Sequence, residues 1–282
     1  MQSVKSRDVV RVFCIMLAVV VMLSMCARVD KVHAAGKKTV YVVSKTYTDK
    51  KSKNNVYEKV SYNSKGLMKK ISYGVKGSVY WKYKYDKKNR VALKGQFIND
   101  WTNFKYTYKK GKLVKVTGYY SKKFGGKKML SGCTSTFKYN SKKLIKSEKV
   151  SGVRIDENKK TSFTIKYAYD KKGHVKRMYH PYPDNVTTHY YTYDKKGNLV
   201  KEVTKYKEGN EVEEVTYENT YKNGRLVKQV ETYDTGESFI RFYSYKKISM
   251  PKKLVKKVKT QQWSFLNHNL NNAEPVKNYG GM

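Results

Sequence analysis

The sequence predicts an all-β protein: an elongated, twisted antiparallel meander of tandem β-hairpin repeats with a short C-terminal helix. Three observations predict this fold: a recurring phrase, an alternation of large apolar residues with lysine, and connections too short for crossover helices. Whether the sheet also curls is left open. The phrase begins with tyrosine, crosses a polar turn and ends on an aliphatic residue, at Tyr62, Tyr85, Tyr108, Tyr139, Tyr169, Tyr193 and Tyr221. Starts that lie 23 to 31 residues apart indicate one supersecondary unit that is repeated.

The residues before each tyrosine predict a strand. Val79, Trp81 and Tyr83 stand at alternate positions, and polar residues and lysine fill most of the positions between such residues. Strict alternation is typical of a half-buried β-strand, and β-branched and aromatic residues fit its pleated surface. Two strands per repeat over residues 38–248 give about 14 to 17 strands in sequence order. Because a lone hairpin is marginally stable in water, the hairpins are expected to pair side by side.

The turn inside the phrase is polar and ends at or near glycine, as in Tyr193–Leu199, which reads Tyr-Asp-Lys-Lys-Gly-Asn-Leu. Aspartate caps a tight turn through its side chain, and glycine accepts a positive φ. We therefore expect positive φ at Gly173 and Gly197. Asn89 replaces the glycine in the second copy and tolerates this conformation, whereas Lys143 in the fourth copy predicts a different or strained turn.

The N-terminus has the three parts of a secretory signal peptide. Basic residues come first, an apolar run covers 12–27, and small residues at 34–35 offer a cleavage site. The run is short for a membrane span of about 20 residues. A membrane anchor and a lipid anchor on Cys26 are the alternatives.

The C-terminal segment lacks the tyrosine phrase. Pro251 is expected to open a short helix toward Trp263 that caps the last hairpin. The predicted organisation is a signal peptide at 1–35, a YD-like hairpin repeat domain at 36–248, a C-terminal cap at 249–270 and a disordered tail at 271–282.

The charge is strongly basic: 61 lysine and arginine residues stand against 22 acidic ones, a net charge of +39. Residues 1–35 contain five basic and two acidic residues, so the remainder keeps +36. Such a charge predicts anionic partners, here an anionic cell-wall polymer or polysaccharide, and no specific nucleic acid. A solvated face that keeps the sheet soluble is the alternative. Cys133 is the one cysteine after residue 35, which excludes an internal disulfide.

Tyrosines that fall out of phase with the strand pattern are the candidate binding residues. Tyr80, Tyr120 and Tyr190 are expected on the face opposite the packed one, among lysines such as Lys82 and Lys84. An exposed surface of rings and cations suits sugars or nucleic-acid bases. Packing between hairpins is the alternative. No catalytic constellation, metal-ligand spacing or cofactor motif is present, so we expect no enzyme activity, no metal and no cofactor.

The phrase in Tyr193–Leu199 resembles the YD repeat of bacterial RHS-type proteins, over roughly residues 56–245. In that family, tandem hairpins wind into extended sheets or shells. The few repeats resemble those of the small secreted YD-repeat proteins of Gram-positive bacteria. Trp81 to Asp86 is a weaker match to the choline- or glucan-binding repeats of wall proteins.

These observations together predict a secreted, non-catalytic binding protein of the bacterial surface or medium, cell-wall associated or free. We expect a monomer that keeps no transmembrane span after the signal peptide is removed. The alternative is a structural or assembly component whose exposed edge strands pair with other copies or with a partner strand.

Overall fold

The computed structural model describes residues 36–49, 55–73, 78–98, 101–126, 133–154, 159–182 and 185–267. The predicted signal peptide and the predicted tail at 271–282 lie outside these residues. The described strands are β1 (Lys37–Thr48), β2 (Val56–Tyr62), β3 (Met68–Tyr73), β4 (Val79–Tyr85), β5 (Val91–Phe97), β6 (Trp101–Lys109), β7 (Lys112–Ser121), β8 (Thr134–Tyr139), β9 (Ile145–Arg154), β10 (Lys159–Tyr169), β11 (Val175–Tyr182), β12 (Asn185–Tyr193), β13 (Leu199–Tyr206), β14 (Val212–Lys222), β15 (Arg225–Tyr233) and β16 (Ser238–Pro251). A 3-10 turn (Lys252–Leu254) leads into helix α1 (Val255–Leu266).

The sixteen described strands form one closed antiparallel barrel, in which each strand pairs with its sequence neighbours and β1 pairs with β16. The prediction of an elongated, open meander of repeats is therefore wrong. The closing pair extends from Lys37 opposite Pro251 to Thr48 opposite Arg241. Neither strand of this pair begins a copy of the tyrosine phrase, so the phrase gave no signal that the two ends of the sheet meet.

Bulges provide the physical reason for the closure. The ladder shifts register beside the phrase tyrosine in each of the seven hairpins, for example between Thr192 and Tyr193. The closing pair has its own shift between Val43 and Lys45. A bulge bends its strand and increases the local twist, so a bulge in every hairpin curls the sheet. Closure then buries the inward apolar side chains and removes the sheet edges.

The ends of the phrase form a ring inside the barrel, next to the tight turns. Each phrase tyrosine pairs across its bulge with the aliphatic residue that ends the phrase, and Tyr245 pairs with Val43 in the same way. These aliphatic side chains are at most 8% exposed. They are Val43, Met68, Val91, Leu113, Ile145, Val175, Leu199 and Leu226.

The tyrosine hydroxyls link each hairpin to the one before it. Seven of them donate to the backbone carbonyl of the aliphatic residue on the preceding return strand. The pairs are Tyr62 to Val43 (2.5 Å), Tyr85 to Met68 (2.6 Å), Tyr108 to Val91 (2.9 Å), Tyr139 to Leu113 (2.6 Å), Tyr169 to Ile145 (2.6 Å), Tyr193 to Val175 (2.8 Å) and Tyr245 to Leu226 (2.7 Å). The repeated tyrosine therefore joins neighbouring hairpins.

The turns have the predicted chemistry. Asp194 accepts hydrogen bonds at its carboxylate from the backbone of Lys196 (2.8 Å) and Asn198 (2.9 Å). Positive φ is confirmed at Gly173 (88°) and Gly197 (82°). Asn89 (57°) takes the same conformation, and so does Lys143 (63°), a residue that adopts it at a cost.

Helix α1 lies across the mouth of the barrel at the ring. It packs on the last hairpin as predicted, since Val258 shares a buried cluster with Met250 of β16, and it also reaches hairpins elsewhere around the ring. The Gln262 amide donates to the Tyr62 hydroxyl (2.9 Å), and the Gln261 amide donates to the Tyr85 hydroxyl (2.9 Å). On the other side, the Trp263 indole donates to the Gly197 carbonyl (2.5 Å). The helix therefore contacts turns that lie far apart around the ring and closes this mouth.

Candidate functional site

The structure separates the predicted binding residues. Tyr80, Lys82 and Lys84 lie on the outer wall of β4, since the alternate residues Trp81 and Tyr83 point inward, where Tyr83 is 7% exposed in the core. Tyr190 also lies on the outer wall, on β12, and it is 39% exposed.

Tyr120 of β7 lies on neither of these parts of the outer wall, because its side chain is on the inward face of the sheet. It pairs with Thr102 and stands two residues after Gly118, which pairs with the inward, buried Phe104. The expectation that Tyr120 lies among lysines on the outer face is therefore not met. Tyr120 faces inward because the pairing of β6 with β7 places Gly118, two residues earlier, on the inward face. The turn phrase does not predict that pairing.

Tyr80 belongs to an outer surface that we call the β4 patch: Lys70, Tyr80, Lys82, Lys84, Phe97, Trp101 and Phe124. The Tyr80 ring stacks on Phe97 at a centroid distance of 5.0 Å and meets Trp101 edge-on at 5.3 Å. The Lys70 ammonium lies 4.0 Å from the Tyr80 centroid. Rings and an ammonium already surround Tyr80, so the β4 patch presents cations to solvent rather than an open ring.

The segment after β7 covers this part of the wall. Asn103 accepts a hydrogen bond from the Gly125 amide (3.1 Å) and donates to the Lys123 carbonyl (3.3 Å). These bonds hold Phe124 against Trp101 at 4.8 Å, over Gly95. A Cβ on Gly95 would lie 2.6 Å from the Phe124 ring, so glycine allows this close approach.

Tyr190 lines a groove of about 370 Å³ on the wall of β10 to β12, which we call the β11 groove. Its lining residues are Lys166, Tyr167, Ala168, Arg177, Tyr179, Thr188 and Tyr190. Across the sheet, Lys166 pairs with Tyr179, and Tyr179 pairs with Thr188. In the next row, Ala168 pairs with Arg177, and Arg177 pairs with Tyr190. The short side chains of Ala168 and Thr188 leave open space beside the two tyrosines.

Basic groups surround the β11 groove. Lys166 lies 6.0 Å from the centroid of Tyr179, and Lys205 of β13 lies 5.7 Å from the centroid of Tyr190. Arg177 pairs with Tyr190 and stands two residues before Tyr179 on the same face. The groove thus combines two aromatic rings with three cations, which suits a ligand that has both apolar faces and negative charge.

Most residues of both surfaces were not predicted from the sequence. Tyr179, Arg177 and Lys166 were missed, although pairing β10 with β11 through the turn at Gly173 places them beside Tyr190. Ala168 was the available signal, because it is the short residue at the outward position beside that turn. Trp101 and Phe124 meet only because the segment after β7 folds back, which no local pattern reports.

The inner wall has its own polar groups between β11 and β13. His189 lies 3.3 Å from a Glu202 carboxylate oxygen and 3.0 Å from each of the hydroxyls of Thr187 and Thr204. Burial lowers the pKa of His180, and electrostatic repulsion from His189 lowers it further. These contacts give His189 polar partners within the barrel wall.

On the other side of the inner wall, Arg241 faces Glu58. Burial raises the pKa of Glu58, while Arg241 and a hydrogen bond from Thr46 (2.8 Å) oppose that rise. No group of three or more histidine, cysteine, aspartate or glutamate side chains that could hold a metal occurs in the part of the chain that the structure describes. Among the described residues, no helix is long and apolar enough to cross a membrane.

The fold defines a large closed antiparallel β-barrel with polar and aromatic surfaces on its outer wall. Among solved structures, the chain is similar to a porin-like protein from Bacteroides vulgatus, with a TM-score of 0.51 and 14% identity over 73% of this chain and 99% of that chain. A TcdB2-TccC3-TEV structure matches with a TM-score of 0.24 and 11% identity, over 64% of this chain and 14% of that chain. No protein-family model matches the chain, and no curated protein matches it.

These findings correct the description as a secreted cell-wall repeat protein. The fold that matches is a porin-like barrel, and no comparison supports membership in the YD-repeat or RHS-repeat proteins. An identity of 14% concerns the fold alone. The function must be argued from the residues.

Proposed function

We propose that this protein is a non-catalytic binding protein that holds an anionic polysaccharide on the outer wall of the barrel, in the β11 groove. The observation that supports this most is the groove itself, in which Tyr179 and Tyr190 flank short side chains and Lys166, Arg177 and Lys205 supply positive charge. Sugar rings present apolar C–H faces that pack on tyrosine, and their carboxylate or sulfate groups pair with the cations.

The distribution of charge supports the anionic class. Residues 36–282 have a net charge of +36, which attracts a polyanion over distances near the Debye length. Glu214, on β14 opposite Val203 of β13, is paired with Lys201 at 2.6 Å. Among the described residues, no acidic side chain forms an ion pair with Lys166, Arg177 or Lys205. The groove cations are therefore available to an external anion.

The outer wall of the barrel is polar enough to face solvent. Outward positions around the barrel hold lysine where a lipid-facing band requires apolar side chains. Examples are Lys59, Lys82, Lys105, Lys115, Lys138, Lys149, Lys166, Lys205 and Lys228. In this proposal the wall therefore faces solvent at the cell surface, where an exported polysaccharide is accessible.

The alternative function, assembly through strand addition, requires an exposed sheet edge. The described strands close through the pairing of β1 with β16, so they leave no free edge to which a partner strand could add. Binding through side chains on the wall needs no edge.

Calorimetric titration with polygalacturonate oligomers tests the proposal. We expect the double variant Tyr179→Ala/Tyr190→Ala to bind at least tenfold more weakly than the wild type, because both rings of the groove are lost. Tyr57→Ala is the matched control: Tyr57 is 41% exposed on β2, outside the groove, and should bind as the wild type does. Affinity should also fall steeply with salt, since binding releases counterions.

Three probe polymers separate the contributions. Neutral dextran lacks charge, poly-aspartate lacks sugar rings, and single-stranded DNA offers bases for stacking. The proposal expects polygalacturonate to bind more tightly than all three. Equal binding of poly-aspartate, or an unchanged affinity in the double variant, would refute a sugar-specific groove.

A further inference from the structure

We infer that the β4 patch is a second ligand site, which binds a multiply charged oxyanion group such as phosphate or sulfate. The site stands on its own residues and does not depend on the β11 groove. Its consequence, that one barrel can hold two polyanion segments at once, does rest on the proposed function.

The register places two like charges directly opposite each other. Lys70 of β3 pairs with Lys82 of β4, and Lys84 follows two residues later on the same outer face. Like charges directly opposite in an antiparallel pair destabilise the sheet. An anion between these ammonium groups would remove the repulsion.

The three ammonium groups have no acidic partner among the described residues. The contacts of Lys82 are to rings, at 5.3 Å from Tyr80 and 5.2 Å from Trp101, and Lys84 lies 4.9 Å from Phe124. Partial burial lowers the pKa of Lys70, and the charge of Lys82 lowers it further. The contrast is Lys201, which Glu214 neutralises at 2.6 Å.

The aromatic layer holds the cations in place. Tyr80, Phe97 and Trp101 pack with centroid distances of 5.0 to 5.3 Å, and Asn103 fixes the segment that positions Phe124. Lysine side chains that rest on ring faces lose less freedom when a ligand binds, which lowers the entropic cost of binding. The patch is therefore preorganised for an anion rather than a set of mobile surface lysines.

The β4 patch lies on the side of the barrel opposite the β11 groove. Strand β4 and strand β11 are seven steps apart in a closed sheet of sixteen described strands, so the two surfaces face nearly opposite directions. A barrel with a groove on one side and an anion site on the other can join two polymer segments. The repeated hairpin supplies the frame for both, and residues that differ between hairpins supply the sites.

Titration with inorganic pyrophosphate tests the site by calorimetry and by the melting temperature. We expect Lys70→Gln/Lys82→Gln to bind at least tenfold more weakly than the wild type and to lose the increase in melting temperature that the ligand produces. Without ligand, this variant should melt at the wild-type temperature or above it, because the repulsion is gone. Lys138→Gln/Lys228→Gln, which removes two outward lysines on distant strands, should bind as the wild type does.

Further titrations separate the outcomes. Sucrose octasulfate in place of pyrophosphate shows whether sulfate or phosphate groups are preferred, and either result supports an oxyanion site. Tyr179→Ala/Tyr190→Ala should keep pyrophosphate binding, so loss of the groove function leaves this inference intact. Absence of binding to the wild type by both probes, or equal weakening in the two lysine variants, would overturn it, since the charge would then act diffusely.

Discussion

The inward and outward faces of the hairpins differ in how much they repeat. Inside, the hairpins supply the same tyrosine and aliphatic pair to one ring, as Tyr193 and Leu199 do. Outside, equivalent strands of different hairpins differ: β4 presents tyrosine and lysine, while β10 presents Lys166 and Ala168. The repeated residues therefore build and close the barrel, and the residues that do not repeat make each section of its wall different.

One hairpin departs from the ring and shows what the tyrosine does. The carbonyl of Leu199 accepts a hydrogen bond from the Asn219 amide (2.9 Å), so it is not the acceptor for Tyr221. Tyr221 instead donates to the Asp194 carboxylate, and the Asn198 amide donates to Tyr221 (2.8 Å). The link between neighbouring hairpins is kept, but its acceptor is a turn side chain.

Substitutions in the inner ring should lower the free energy of unfolding more than substitutions on the outer wall. Leu199 is fully buried, and we expect Leu199→Ala to lower the free energy of unfolding by about 2–5 kcal/mol, because it loses burial and leaves a cavity. Val212→Ala on β14 is the control, since Val212 is 53% exposed and should change stability by less than about 0.5 kcal/mol. Chemical denaturation measures both. Equal effects would show that the ring does not dominate stability.

Gly197 tests the turn beneath the ring. With φ at +82°, a β-branched residue is strained there, and a Cβ would lie 3.0 Å from the His174 ring. Gly197→Val should therefore cost about 1–3 kcal/mol of stability. Gly111 has φ of +78° with nothing within 4 Å of a Cβ, so Gly111→Val isolates the strain without the crowding. Thermal melts should place Gly197→Val below Gly111→Val; the reverse order would contradict the packing of this turn against His174.

Two tyrosines of one strand sharpen the contrast between the faces. Tyr193 of β12 donates to the Val175 carbonyl (2.8 Å), and we expect Tyr193→Phe to lose about 0.5–1.5 kcal/mol of stability with that hydrogen bond. Tyr190, three residues earlier on the outer wall, should lose nothing measurable on Tyr190→Phe. Denaturant midpoints measure both. Equal losses in Tyr190→Phe and Tyr193→Phe would show that the Tyr193 hydroxyl contributes no more to stability than a hydroxyl on the outer wall.

Much of the local structure was predictable because it depends on short sequence distances. The turn at Gly197, the strand ending at Tyr85 and the helix after Pro251 each follow from residues within about one turn or strand. Positive φ at Gly173 and Gly197 was predicted for the same reason and is confirmed.

Closure and the binding surfaces were not predictable in that way. The pairing of Lys37 with Pro251 joins residues from opposite ends of the domain, and no local pattern records it. Bulges beside each tyrosine decide whether a meander stays open, but they are recognised only once the register is known. The groove has the same origin, since Tyr179 and Tyr190 become neighbours only through the register of β11 with β12. Of the predicted site residues, Tyr190 lines it, while Tyr80, Lys82 and Lys84 lie on the β4 patch.

The smallest expected effect is a pH dependence from the inner wall. Burial, and then the charge of His189, lower the pKa of His180 below its ordinary value of 6.5. The unfolded chain therefore binds a proton first as the pH falls below about 6.5, and stability falls until the folded protein also binds it. Asp86 and Asp170 have lowered pKa values in the folded protein because hydrogen bonds and charge outweigh burial; they act only near and below 3.8.

Glu58 has the opposite effect on stability just above pH 4.5, because its pKa is raised in the folded protein. The change of stability with pH in the wild type therefore contains contributions from both His180 and Glu58. The measurement is therefore the loss of stability between pH 7 and pH 5 in the wild type compared with His180→Gln. The variant should lose less, by a few tenths of a kcal/mol up to about 1 kcal/mol. If the two proteins lose the same amount of stability, a lowered pKa of His180 is not the cause of the loss. The outer wall, which has no such buried histidine among its described residues, should show no matching effect when Tyr190 or Lys166 is replaced.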